Sequence, residues 1–159
     1  MTTGSRVIDI KQGTAMVVTD LHGDWEAYCL YRDAFRRLYD QKEVDCLVLC
    51  GDFVHHEFRE RDCSLDIVLD LIQFQKSYGP QRVIVLLGNH ELPHIYGMPL
   101  IRESKDCTPH LESAMVKAGE KRMQEILAFF HTLPFYIRTA SGVMICHAGA
   151  HVDSADARH

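Results

Sequence analysis

No stretch of this chain is apolar for long enough to cross a membrane as a helix, and its first residues lack the apolar core of a signal peptide. The expectation is a cytosolic protein. Excess positive charge is also missing. Seventeen Lys and Arg stand against 22 Asp and Glu, for a net charge of −5. The pairs Arg36-Arg37 and Lys121-Arg122 fall within helical patterns, as solvated faces do. Nothing here suits a nucleic-acid partner or an anionic membrane surface. The six cysteines, at 29, 46, 50, 63, 107 and 146, make no Cys-x-x-Cys pair. They read as a reduced, unpaired set, with Cys46, Cys50 and Cys146 acting as small hydrophobes in strand-like runs. A thiolate nucleophile at Cys146 beside His147 conflicts with the opposite pointing of adjacent strand residues. Internal repeats, low-complexity tracts and Ser/Gly linkers are absent.

What remains is an ordinary globular composition, 47% hydrophobic and 25% charged over 159 residues, enough for one domain with a sizeable core. Strand and helix patterns alternate. Ala15 to Thr19 is a short apolar strand. From Asp24 to Gln41, the residues Tyr28, Tyr31, Phe35 and Leu38 recur at helical spacing, with Asp24 placed to cap. Val44 to Cys50 is a nearly continuous apolar run, as expected of a strand covered on both faces. Leu65 to Phe74 is an amphipathic helix ended by Gly79-Pro80, and Val83 to Leu87 is the third buried strand. A loop with Pro93 and Pro99 follows, then one long helix from His110 to His131 stopped by Leu133-Pro134. Phe135 to Arg138 and Val143 to Cys146 flank Ser141-Gly142 as a hairpin. The order strand–helix–strand–helix–strand predicts an α/β fold with a parallel sheet, whose ligands bind off the carboxyl ends of the strands.

Four clusters fall at such ends: Asp20-Leu21-His22-Gly23-Asp24, Gly51-Asp52, Gly88-Asn89-His90-Glu91 and His147-Ala148-Gly149. Taken singly, each has a plain reading as capping acids, turn residues or a core histidine. Together, at successive strand ends, they describe a metal site. Asp20 and His22, two apart on extended backbone, point to one side and suit one ion. Asp52 has two oxygens with which to bridge a pair of ions. Asn89 offers an amide oxygen and His147 an imidazole. This mixed N/O set favours Mn²⁺, Fe²⁺ or Zn²⁺, two of which would activate water and hold a phosphoryl oxygen. His90, beside a ligand, is left free to protonate a leaving oxygen.

From Ala15 to Ala150 these residues resemble the calcineurin-like metallophosphoesterases, and among them the protein serine/threonine phosphatase type. The resemblance implies a metallophosphatase-type sandwich, a mostly parallel sheet with flanking helices. It implies Asp20 and His22 as ligands of one metal, Asp52 as the bridge, Asn89 and His147 as ligands of the other, and His90 as general acid. Metal-activated hydroxide would then attack phosphorus in line. Phosphoproteins are the leading substrate class, with dinucleotide polyphosphates or other small phosphoesters second, and a metal-binding remnant with little turnover third.

Two departures stand out. After Gly51-Asp52 the phosphatase type continues to Asp-Arg-Gly, where the Asp supports the catalytic histidine and the Arg grips phosphate. Here the chain reads Phe53-Val54-His55-His56-Glu57. Either His55 or His56 stands in as a weak phosphate donor, or both are surface histidines of the loop. The family's last metal-binding histidine also comes from strands well beyond the His147 segment. His151 and His159 offer imidazoles but read as part of a polar tail. The expectation is therefore a single, incomplete domain over 1–159, its second sheet only partly present. One face of the first sheet would then be bare, and the chain would be a fragment or would self-associate through that face.

Overall fold

A computed structural model describes residues 6–149. Its centre is a parallel sheet of β2 (Ala15–Val18), β3 (Cys46–Leu49) and β4 (Val83–Val85), in that order. Helix α1 (Trp25–Asp40) joins β2 to β3, and α2 (Ser64–Tyr78) joins β3 to β4. The apolar runs alternate by face. Leu47, Leu49, Val83 and Val85 join the helix-side core with Tyr28, Phe35, Ile67 and Leu71. Cys46, Val48, Cys50, Ile84 and Leu86 point the other way into a second core. That is why these strands read as continuous hydrophobic runs rather than as alternating ones. Helix α1 begins where expected, with the Asp24 carboxylate accepting from the Ala27 amide at 3.0 Å.

The second core is closed by a second sheet. It consists of β1 (Val7–Ile10), β7 (Tyr136–Thr139) and β8 (Met144–Cys146) in the order β1-β7-β8. Strand β1 runs parallel to β7, and β7 and β8 form the expected hairpin. One row across this sheet holds Ile8, Ile137 and Ile145, all packed on Val48, Ile84 and Leu86. The bare sheet face expected from the sequence is thus corrected: β3 and β4 are covered, while Val17 on β2 remains 46% exposed. Strand β1 was not anticipated at all.

Two further differences concern the segment after β4. The long helix is two, α4 (Thr108–Ala118) and α5 (Glu120–Thr132), separated by Gly119 at a φ of 96°. A left-handed φ of that size is open to glycine and ends the first helix. The Pro93–Pro99 loop holds a short helix, α3 (Leu92–Tyr96), and is followed by a small hairpin of β5 (Ile101–Arg102) and β6 (Lys105–Asp106). Among the described residues, no helix is long and apolar enough to cross a membrane.

The topology sends every cluster to one edge. Strands β2, β3 and β4 are parallel, so Asp20, Asp52 and Asn89 emerge together. The Leu87 amide donates to the Pro134 carbonyl at 2.9 Å, which starts β7 at the same edge. Strand β8 returns antiparallel to β7 and brings His147 back beside β3.

Ile137 is fully buried between the sheets. Ile137→Ala should therefore lower the free energy of unfolding by about 2–5 kcal/mol, read from urea titration. A loss below about 1 kcal/mol would mean that the second sheet is not packed as described.

Candidate metal centre

The chain leaves β2 and β3 through unusually tight turns. Asp20, His22 and Asp52 have φ of 41°, 42° and 52°, and Gly23 and Gly51 are also left-handed. Non-glycine residues in this region each cost on the order of 1 kcal/mol, and such strain persists only where surrounding contacts fix it. Here the contacts are in view. The His22 amide donates to the Asp52 carbonyl at 2.8 Å, and the Gly23 amide to the Phe53 carbonyl at 3.0 Å. Gly51 lies directly against the Gly88 backbone, and a Cβ on Gly88 would strike the Asp52 carboxylate. Only glycine allows these two loops to approach so closely.

Beneath them sits Glu91, fully buried. Its Oε2 accepts from the amides of Asp52 and Gly88, both at 2.9 Å, and its Oε1 from the Phe53 amide at 2.9 Å. Burial, with the charge of Asp52, pushes its pKa up to about 8, against the pull of those amides. The sequence shows Glu91 within the third cluster, but its role as a clamp on two loops was missed. An acid two residues past the candidate ligand Asn89, in a cluster that follows a buried strand, is the signal that could have found it.

Above the clamp the side chains converge on Asp52, itself only 4% exposed. Asp52 Oδ1 accepts from the His90 amide at 2.9 Å and lies 3.4 Å from His147 Nε2. Its Oδ2 lies 4.0 Å from His22 Nε2 and 3.8 Å from His90 Nε2. His22 Nε2 is also 4.0 Å from Asp20 Oδ1. The donor atoms fall into two sets, each within 4.8 Å: His22, Asp52 and His90, and Asp20, Asp52 and His147. Asp52 belongs to both. Asn89 joins through its Oδ1, 2.7 Å from His147 Nε2, while His147 Nδ1 meets the Cys50 carbonyl at 2.9 Å. Both nitrogens of His147 thus face away from Cys146, and burial raises the Cys50 thiol pKa to about 11. Cys50 does not have the surroundings of a nucleophile.

Divalent ions fit this arrangement. Asp52 and Glu91 are two adjacent buried acids, and among the described residues Asp52 has no Lys or Arg partner, only histidines. A buried carboxylate such as Asp52 without an offsetting cation is costly, and a bound metal supplies that cation. The oxygens and imidazoles present are those that Mn²⁺, Fe²⁺ and Zn²⁺ accept. All six residues read from the sequence for this site, Asp20, His22, Asp52, Asn89, His90 and His147, lie together. His90 also stands edge-on to His22, with ring centroids 4.6 Å apart. His151 and His159 lie outside the described residues.

His55 and His56 have different fates. His56 is half-buried and its Nδ1 accepts from the Phe58 amide at 2.9 Å. His55 is buried behind His90, with ring centroids 5.2 Å apart, and its Nε2 meets His94 Nε2 at 2.9 Å. His94 Nδ1 in turn lies 3.6 Å from the Glu112 carboxylate. Burial holds both rings neutral, lowering the pKa of His55 to about 3 and of His94 to about 4. His90 is lowered as well, by burial first, with Asp52 opposing and the charges of His22 and Arg102 assisting. A cleft of about 150 Å³ opens beside His90, His55 and His56 and is lined also by Arg59, Arg102 and Lys105. Neither His94 nor Arg102 was picked out from sequence, because each lies in the segment read as plain loop.

The sequence model of the calcineurin-like phosphoesterase family matches residues 13–158 of the chain. Among curated proteins, a search for similar sequences finds no match.

Two outcomes follow from the buried groups. In chelator, His55 and His94 stay neutral while unfolded histidines protonate near pH 6.5. The unfolded state then binds more protons, so stability falls as pH drops from 6.5 towards 4, by up to about 1.4 kcal/mol per pH unit for each ring. His94→Gln should flatten that decline in urea midpoints; an unchanged slope would contradict a neutral buried ring. Glu91→Gln turns an acceptor into an N–H group facing backbone amides. It should cost about 3 kcal/mol of stability and weaken Mn²⁺ binding in calorimetry. Retention of both properties would show that the clamp is not needed.

Proposed function

Since the chain belongs to the calcineurin-like phosphoesterase family, we propose that it is a phosphoester hydrolase with a dinuclear centre, acting as a serine/threonine phosphatase-like enzyme. The observation that carries this reading is Asp52, a buried carboxylate common to two sets of metal-ligating atoms. Asp20 and His22, 4.0 Å apart, would hold one ion, and Asn89 and His147, 2.7 Å apart, the other. This divides the donors differently from the two sets, which group His22 with His90 and Asp20 with His147; Asp52 is common to both divisions. Bound there, divalent ions supply Lewis acidity and lower the pKa of water.

The rest is done by the chain. The clamped loops fix the donors before any ligand arrives, so little reorganisation is required. His90 is oriented by its own amide on Asp52 Oδ1 and opens on the cleft. A proton on its Nε2 passes to the departing oxygen of the substrate. A second reading, hydrolysis of small phosphoesters such as dinucleotide polyphosphates, is favoured by one feature. No Asp or Arg follows Asp52 where the protein-phosphatase pattern has them, and His55 at that place is spent on His94.

Mn²⁺-dependent hydrolysis of p-nitrophenyl phosphate tests the proposal. His90→Asn should reduce kcat on the order of 100-fold, with Mn²⁺ binding retained in calorimetry. No metal-stimulated rate in the wild type, or equal rates in the two proteins, would reject the enzyme and leave a metal-binding remnant. Phosphopeptides compared with dinucleotide polyphosphates then decide the substrate class.

A further inference from the structure

Positions 55 and 56, where the phosphatase pattern has its acid and its phosphate-gripping arginine, provide no cation for the non-bridging oxygens of a phosphoester. His56 is half-buried and its Nδ1 is occupied by the Phe58 amide; His55 faces His94. Three cations line the cleft beside His90, namely Arg59, Arg102 and Lys105. Among the described residues none of the three has an ion-pair partner. The acids around them are partly committed. Asp62 accepts from the Ser64 amide and hydroxyl and lies 3.8 Å from His110. Asp106 accepts from Leu100 N, Thr108 N and Thr108 Oγ1 at 3.1, 3.0 and 2.9 Å. Glu57 and Glu103 remain, both exposed.

Of the three cations, Arg102 is the guanidinium carried on a paired strand of the cleft wall, where Lys105 offers only a point charge. It also has a fixed seat. Arg102 pairs with Lys105 across the β5–β6 hairpin, whose turn residues Glu103 and Ser104 are both left-handed, with φ of 49° and 62°. Asp106 ties the base of that hairpin to the first turn of α4. An exposed guanidinium on that hairpin, without an ion-pair partner and lining the same cleft as His90, can meet a phosphoryl group with two parallel N–H groups.

We propose that Arg102 is the substrate-gripping residue of this site, holding the non-bridging oxygens of the phosphoryl group that is transferred. The proposal rests on the phosphoesterase reading, and it moves the phosphate grip from the strand-end motif to the hairpin after α3.

The test compares wild type, Arg102→Ala, Arg102→Lys and, as an exposed control, Arg37→Ala. Binding of inorganic phosphate is measured by calorimetry with Mn²⁺ present. Steady-state kinetics use p-nitrophenyl phosphate, whose leaving group carries no second phosphate, and pyrophosphate, whose leaving group is itself phosphate. Arg102→Ala should weaken phosphate binding and raise KM for both substrates by about 10- to 100-fold, as expected for a lost charge-assisted pair. Arg102→Lys should recover only part of this, and Arg37→Ala should match wild type. Unchanged phosphate affinity and KM in Arg102→Ala, with metal-dependent hydrolysis intact, overturns the proposal alone. A loss confined to pyrophosphate overturns it too, because Arg102 would then bind the leaving group. If no variant hydrolyses either substrate, the phosphoesterase reading fails. Phosphate calorimetry still decides the grip, and a wild type that binds no phosphate rejects it.

Discussion

The site depends on one buried carboxylate that touches no substrate. Glu91 accepts three backbone amides from two loops that are far apart in the chain, those following β3 and β4. Without an acceptor there, three N–H groups would be buried unpaired, each costing about 1–3 kcal/mol. With it, the loops are drawn so close that glycine is required at 51 and 88. That approach aims the Asp52 side chain at His22, His90 and His147 and lets its Oδ1 fix the His90 amide. The ligand geometry is therefore set by backbone hydrogen bonding, one layer below the ligands.

The sandwich supplies what the clamp needs. Strands β3 and β4 are buried on both faces, so the ends from which the loops spring are rigid. The second sheet adds a separate contribution. Its hairpin turns the chain round and returns His147 to the edge where the parallel strands end, anchored through Nδ1 on the Cys50 carbonyl. A residue from an antiparallel strand thus completes a site whose other members come from parallel ones. The left-handed backbone at His22 and Asp52 is held by the hydrogen bond from the His22 amide to the Asp52 carbonyl, with the Gly23–Phe53 bond beside it.

How much of this was legible in the sequence follows from what is local. The three parallel strands, the first two helices and the convergence of the candidate site residues were readable because each strand is a short apolar run with its polar cluster at the end. The second sheet was not. Strand β1 gains its meaning only from pairing with β7, from Val7↔Tyr136 to Ile10↔Thr139, and four residues carry no periodic sign of so distant a partner. Gly119 was visible but did not demand a break, since an isolated glycine costs a helix only about 1 kcal/mol. The β5–β6 hairpin escaped because Glu103-Ser104 is not a turn pair that sequence would single out. With it went Arg102, and His94 was lost in the same loop.

The departure at His55 makes physical sense once the buried charges are counted. The strand ends already hold two buried carboxylates, Asp52 and Glu91, with histidines as the neighbours of Asp52. An acid at position 55 would place a third carboxyl group in an interior that already pushes the pKa of Glu91 up to about 8. A neutral imidazole there adds no charge, and its Nε2 is satisfied by a second neutral imidazole, His94, rather than by water. The next residue, His56, is bound to its own loop through the Phe58 amide. On the proposed reading, a cation for phosphate comes from outside the motif, where it stays hydrated until substrate arrives. An exposed hairpin rooted by Asp106 meets that condition, because the desolvation of its guanidinium is deferred to the moment when a phosphate replaces the water.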